Sequence, residues 1–180
     1  SFIKHNKDKI FECLKLNNIY SGDYDYIILK SDLDCYFLSF AQERLWFIEQ
    51  YEDGSNAYNI PMLFKLSDTA ELDILAKSFD SIVKRHEILR TLIKQDHEGN
   101  GYQVVLNDQQ YQLQIQTIQV TNQLSLEQEL NKEINHIYDL SEECPIRVQV
   151  YKFINEKHQT ESLHYISIVI HHIAFDGWSI

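Results

Sequence analysis

Residues 162–172 read SLHYISIVIHH, a strongly apolar strand that runs straight into two adjacent histidines. Neighbouring side chains on a strand point to opposite faces, so His171 and His172 cannot both face one ligand. Their roles separate: one is held on the packed side, and the other sits where the strand ends and faces a cleft. His164 shares a face with His172, but eight residues of strand at ~3.3 Å each place them roughly 26 Å apart. A local zinc site is therefore not expected, and no metal is assigned. Asp176 follows in a turn. Gly177 removes a side chain there, so a substrate backbone or a thin arm can come close. Trp178 adds a large packing surface.

The rest of the chain mixes helices with strands. Ser39 with Gln42 reads as a capping box opening SFAQERLWFIEQ, Asp68 with Glu71 as one opening DTAELDILAKSFDSIVKRH, and Ser125 with Gln128 as one opening SLEQELNKEINHIY. The second helix has an apolar stripe of Leu72, Leu75, Ala76, Phe79, Ile82 and Val83. The third aligns Leu126, Leu130, Ile134 and Ile137. Strands are expected near 58–66, 89–95, 102–106, 111–118, 146–154 and 162–172, with HEGNG at 97–101 as a hairpin turn. The expected class is α+β, with helices packed on a mixed, largely antiparallel sheet. Residues 1–35 differ: Ile10, Phe11 and Leu14 mark one short helix in a polar setting, and SGDYDY breaks it, so this segment reads as a linker.

Composition narrows the function. At 180 residues, 44% hydrophobic and 24% charged, the chain suits one domain or one lobe of a larger one. A net charge of −11 argues against nucleic acid and against an anionic membrane surface. No apolar run reaches spanning length, and the amino terminus lacks a signal-peptide pattern. Cys13, Cys35 and Cys144 form no CxxC pair and no disulfide framework, which fits a reducing cytoplasm.

HHIAFDGWS at 171–179 resembles the HHxxxDG motif of the condensation domains of non-ribosomal peptide synthetases, relatives of chloramphenicol acetyltransferase. Other family signatures occur in the family's order. LSFAQERLWFIEQ (38–50) is similar to its S-x-A-Q-x-R-L-W helix, and RHEILRTLI (85–93) to its R-H-E-x-L-R-T segment. YDLSEECPIRVQVYKF (138–153) is similar to its F-D-L-x-x-x-P-L-R stretch, with Tyr138 and Cys144 where Phe and Gly are usual.

The resemblance implies a chloramphenicol acetyltransferase-like α/β two-layer lobe over 36–180, the N-terminal half of a two-lobed domain that stops just after the motif. A fragment without the second lobe is expected to be inactive by itself. Residues 1–35 would be a linker or the tail of an upstream carrier domain. The implied reaction joins an aminoacyl or peptidyl thioester donor to an aminoacyl thioester acceptor. No cofactor is bound directly; both substrates ride on the 4'-phosphopantetheine arms of partner carrier domains. The implied partners are an upstream donor and a downstream acceptor peptidyl carrier domain, the C-terminal lobe, and an adenylation domain in the parent chain. His172 is the implied catalytic group, as a base or as a group orienting the amine. His171 and Asp176 are architectural, with Gly177 beside the arm. Asp176 would ion-pair with Arg85, Arg90, Arg147 or an arginine of the second lobe. DGWS and AQERLWF resemble domains that take an L-configured donor. Two alternatives stay open: a stand-alone acyl-CoA-dependent acyltransferase of the same superfamily, and a non-catalytic module that recruits carriers.

Overall fold

Strand pairing is built around the two longest strands among the described residues. The computed structural model describes residues 35–51, 54–109, 111–154 and 163–179, within a unit spanning Asp34–Ile180. The short helix and linker expected before Cys35 lie outside the described residues. In chain order the elements are β1 (Tyr36–Phe37), α1 (Phe40–Tyr51), β2 (Asn59–Lys65), α2 (Leu72–Arg85) and a 3-10 turn at Glu87–Arg90. There follow β3 (Thr91–Gln95), β4 (Gly101–Val105), β5 (Ile115–Val120), α3 (Gln123–Ile134), β6 (Ile146–Phe153) and β7 (His164–His171).

β6 and β7 lie in the middle of a four-stranded sheet of order β2-β7-β6-β5. β7 pairs antiparallel with both neighbours, and β5 runs parallel to β6. A parallel pair needs a long crossover, and α3 supplies it between β5 and β6. Pro61 sits in β2, an edge strand, where a missing N–H leaves no ladder bond unmade on the open side. A second sheet of order β1-β4-β3 contains the expected hairpin. Its turn places Gly99 at φ 91°, and Asp96 accepts from the Glu98 and Asn100 amides. Sheets of mixed sense carrying helices are the α+β class that the sequence led us to expect.

The pleat sorts the core. On one face Ile146, Val148 and Val150 of β6 and Ile166 and Ile170 of β7 pack with Val83, Leu72, Leu75 and Phe79 of α2. Burying one such aliphatic side chain contributes about 1.5–3 kcal/mol. On the other face Tyr151 and Val120 pack with Leu126 and Leu130 of α3. Val169 of β7 joins Leu38, Ile93, Tyr138, Leu140 and Ile173, with Trp46 of α1 against them. Arg147 of β6 bonds Glu133 of α3 through Nε at 2.9 Å and a terminal nitrogen at 3.0 Å, pinning the helix to the sheet.

Two helix starts differ from the sequence reading. α1 opens on the expected box: the Gln42 amide donates to Ser39 Oγ and the Ser39 amide to Gln42 Oε1. α2 begins after Glu71 with no side-chain cap. Instead of Asp68 capping it, Ser67 and Thr69 close a turn with each other just upstream. α3 begins earlier than Ser125, because Asn122 is the cap and Ser125 is its partner at the third position. Asn is a better cap than the apolar and polar residues around it, and a serine can fill the reciprocal place usually held by Glu. Ile137, expected on the helix face, falls past the helix end and is exposed.

Candidate active site

The end of β7 separates the two histidines as the alternation requires. His171 is 0% exposed, and His172 is exposed. The His171 ring lies against Tyr138 edge-on, at 5.7 Å between ring centres, with Tyr58 tilted at 6.3 Å. Tyr138 in turn donates its hydroxyl to the Val169 carbonyl at 2.8 Å.

Both ring nitrogens of His171 are committed. Nδ1 accepts from the Ile173 amide at 3.2 Å, so it cannot carry a proton. Nε2 faces Glu49 Oε1 at 3.2 Å and must therefore be the N–H donor. Burial holds the imidazole pKa below its ordinary value despite the Glu49 carboxylate, which pulls the other way. The pair is a neutral histidine donating to a carboxylate, not two opposite charges. Glu49 is only 6% exposed, and its second oxygen accepts from the Ser55 amide at 3.3 Å. Sequence reading did not single out Glu49. It stands one heptad after Gln42 on the same helix, and only the fold brings it to His171, 122 residues away in sequence.

The turn after the strand is tied at several points. The His172 amide donates to the Tyr58 carbonyl at 2.8 Å, and the Ala174 amide to the His171 carbonyl at 3.0 Å. Gln42 Nε2 reaches the Ile173 carbonyl at 3.4 Å. The His172 imidazole is exposed and makes no hydrogen bond among the described residues.

Asp176 organises the last turn. Its Oδ1 accepts from the Ser179 hydroxyl at 2.7 Å, the Ser179 amide at 2.9 Å and the Trp178 amide at 3.1 Å. These bonds, led by the hydroxyl, hold its pKa below the usual carboxylate range, and the nearby His172 adds to the effect. The expected ion pair with Arg85, Arg90 or Arg147 is not formed. Arg90 bonds the Leu106 carbonyl and Glu87; Arg147 bonds Glu133 and lies 3.8 Å from Glu143. Arg85 is exposed in the last turn of α2. Arg90 and Arg147 are thus bonded to acceptors other than Asp176. A side chain at Gly177 would meet nothing within 4 Å, so its surroundings are open. Trp178 is 97% exposed.

A cleft of about 590 Å³ opens beside Glu49, with Trp46, Lys94, Tyr138 and Glu142 among its walls. His172 does not line it. No group of three or more His, Cys, Asp or Glu among the described residues is placed to hold a metal ion. No helix among them is long and apolar enough to cross a membrane.

Comparison with known proteins gives this arrangement its context. The chain is 36% identical over 142 residues to a probable non-canonical nonribosomal peptide synthetase, CymA, of Salinispora arenicola, covering 79% of this chain and 2% of that protein. It is 34% identical over 142 residues to N-(5-amino-5-carboxypentanoyl)-L-cysteinyl-D-valine synthase of Amycolatopsis lactamdurans, covering 79% of this chain and 4% of that one. The fold is similar to the starter condensation domain of rhizomide synthetase, with a TM-score of 0.65 at 18% identity, over 80% of this chain and 34% of that one. It is also similar to the X-domain from teicoplanin biosynthesis, with a TM-score of 0.66 at 19% identity, over 80% of this chain and 29% of that one. The chain thus spans a small part of each relative. Residues 32–180 match the model of the Condensation domain, and the chain belongs to that family.

Proposed function

We propose that this chain is the N-terminal lobe of a domain that forms amide bonds in non-ribosomal peptide synthesis. The observation that carries the reading is the unequal fate of the histidine pair: His171 is locked inside by two hydrogen bonds, while His172 presents an uncommitted imidazole at the strand end. The donor is an aminoacyl or peptidyl thioester and the acceptor an aminoacyl thioester, each on the 4'-phosphopantetheine arm of a carrier domain. The acceptor's amine attacks the thioester carbonyl, a C–N bond forms, the C–S bond breaks, and the proton lost from nitrogen ends on the departing thiolate. An α-amine has a pKa of about 8, so a useful fraction is neutral near pH 7 and the reaction demands mainly positioning. His172 accepts or orients that proton. The open space at Gly177 leaves room for the arm, and a second lobe supplies the opposite wall and the arginine for Asp176. The donor is L-configured, residues 1–35 link to an upstream carrier, and an adenylation domain lies in the same parent chain.

The test uses a chain extended through the second lobe, mixed with donor and acceptor carriers each loaded with an amino acid. Intact-protein mass spectrometry follows the acceptor carrier. Dipeptide forms with the unaltered protein, and His172→Ala lowers the rate by about 100-fold, the ordinary worth of a positioned proton acceptor. Transfer that survives His172→Ala removes this side chain from the chemistry. Acylation of a soluble amine from coenzyme A, with no carrier-to-carrier transfer, overturns the carrier reading.

A further inference from the structure

We infer that Glu49 is a positioning residue for His172, acting through His171 on the turn that carries it. This rests on the reading that His172 does the chemistry.

Ile173 follows His172 directly, and α1 restrains both of its backbone polar groups. Gln42 donates to its carbonyl. Its amide donates to His171 Nδ1, which can accept only while the ring is neutral with its proton on Nε2. Glu49 Oε1 stands at Nε2 and receives that proton's hydrogen bond. Removing the acceptor would leave the Nε2–H of a fully buried imidazole without its partner, so the ring would turn toward another partner and release Ile173. The carboxylate is itself fixed, because its other oxygen accepts from Ser55 and the Gly54 amide donates to the Glu49 carbonyl at 3.1 Å. Gln42 and Glu49 lie seven residues apart, two helical turns, and so share one face of α1. The helix splints the turn from both ends. An aliphatic residue at position 171 would fill the space but could neither accept from the Ile173 amide nor donate to the helix.

The geometry makes reach, not charge, the deciding property. Glu49→Asp keeps the charge and withdraws the carboxylate by about 1.5 Å, one C–C bond. Glu49→Gln keeps an oxygen at the same reach and loses the charge. Glu49→Met fills the volume with no strong acceptor. In the extended protein with loaded carriers, Glu49→Asp and Glu49→Met lower kcat about 10- to 100-fold, the range expected for a misplaced catalytic group, with KM for the acceptor carrier within about twofold. Glu49→Gln recovers most of that loss. Nitrogen-15 spectra of the imidazoles and amide exchange provide a readout independent of turnover. The unaltered protein and Glu49→Gln show His171 protonated on Nε2 and a slowly exchanging Ile173 amide, and the Asp and Met variants lose that protection.

Wild-type kcat together with wild-type Ile173 exchange in both the Asp and the Met variant overturns the inference. A lower melting temperature with unchanged kcat per folded molecule also overturns it, since Glu49 would then serve stability alone. If the unaltered protein forms no amide, the reading of His172 fails, while Ile173 exchange still decides whether Glu49 holds the turn.

Discussion

Adjacent histidines become chemically different groups through one turn of the backbone. His171 loses its solvent and gains two partners, and desolvation holds its pKa below the ordinary 6.5. In the unfolded chain the same ring titrates normally, so between pH 6.5 and its lower folded value the unfolded state binds more protons. Stability from this group is therefore complete above pH 6.5 and falls as the solution is acidified. Thermal unfolding between pH 7.5 and 5 should show the midpoint dropping with pH, with a shallower slope in His171→Gln. Equal slopes would mean that the ring binds protons alike in the folded and unfolded states. The carboxylates of Asp139 and Asp96, held below their usual range by local hydrogen bonds, act in a lower window and do not compete with this test. Residues also fail to meet when a nearer partner exists: Arg147 was a candidate for Asp176, but Glu133 lies on the helix directly across the sheet face.

At the scale of elements, the sequence patterns located helices and strands well and their first residues less well. Each strand expected from an apolar run is present within a few residues, and the segment at 89–95 gives its first residues to a 3-10 turn. Caps depend on which side chain reaches an orphan amide first, and several candidates stand near each start. At α3, Asn122 Oδ1 accepts from the Ser125 amide at 2.8 Å, while the Asn122 amide donates to Ser125 Oγ at 3.1 Å. Asn122→Ala should cost about 1 kcal/mol by denaturant titration. Loss at Gln128 instead, with none at Asn122, would restore the box read from the sequence. The consequence reaches the site, because α3 ends where Asn59 donates to the Ile134 and His136 carbonyls, and Asn59 pairs in register with His171.

Across the whole unit, the two sheets differ in how far they are covered. β6 and β7 have neighbours on both sides and cores on both faces, whereas β1 is two residues long and borders the smaller sheet. Amide exchange should rank them accordingly, with β6 and β7 slowest and β1 fastest. Equal protection throughout would mean that the two sheets open as one cooperative block. The contrast bears on the proposed site, since the strand that delivers the histidines is paired on both sides. The exposed aromatics Phe40, Phe47 and Tyr51 lie along α1, away from the face that holds Gln42 and Glu49.

The sequence by itself determined the α+β class, the strand that carries the motif, the opposite facing of His171 and His172, and the family. All of these follow from short-range facts: a repeat of two along a strand, about 3.6 along a helix, and residues adjacent in the motif. Only the tertiary structure decided that Glu49 meets His171 and that Arg90 and Arg147 are spent elsewhere. Those contacts depend on which distant elements pack together and which acceptor is nearest once they do. A side chain's partner across 122 residues leaves no periodicity in the chain.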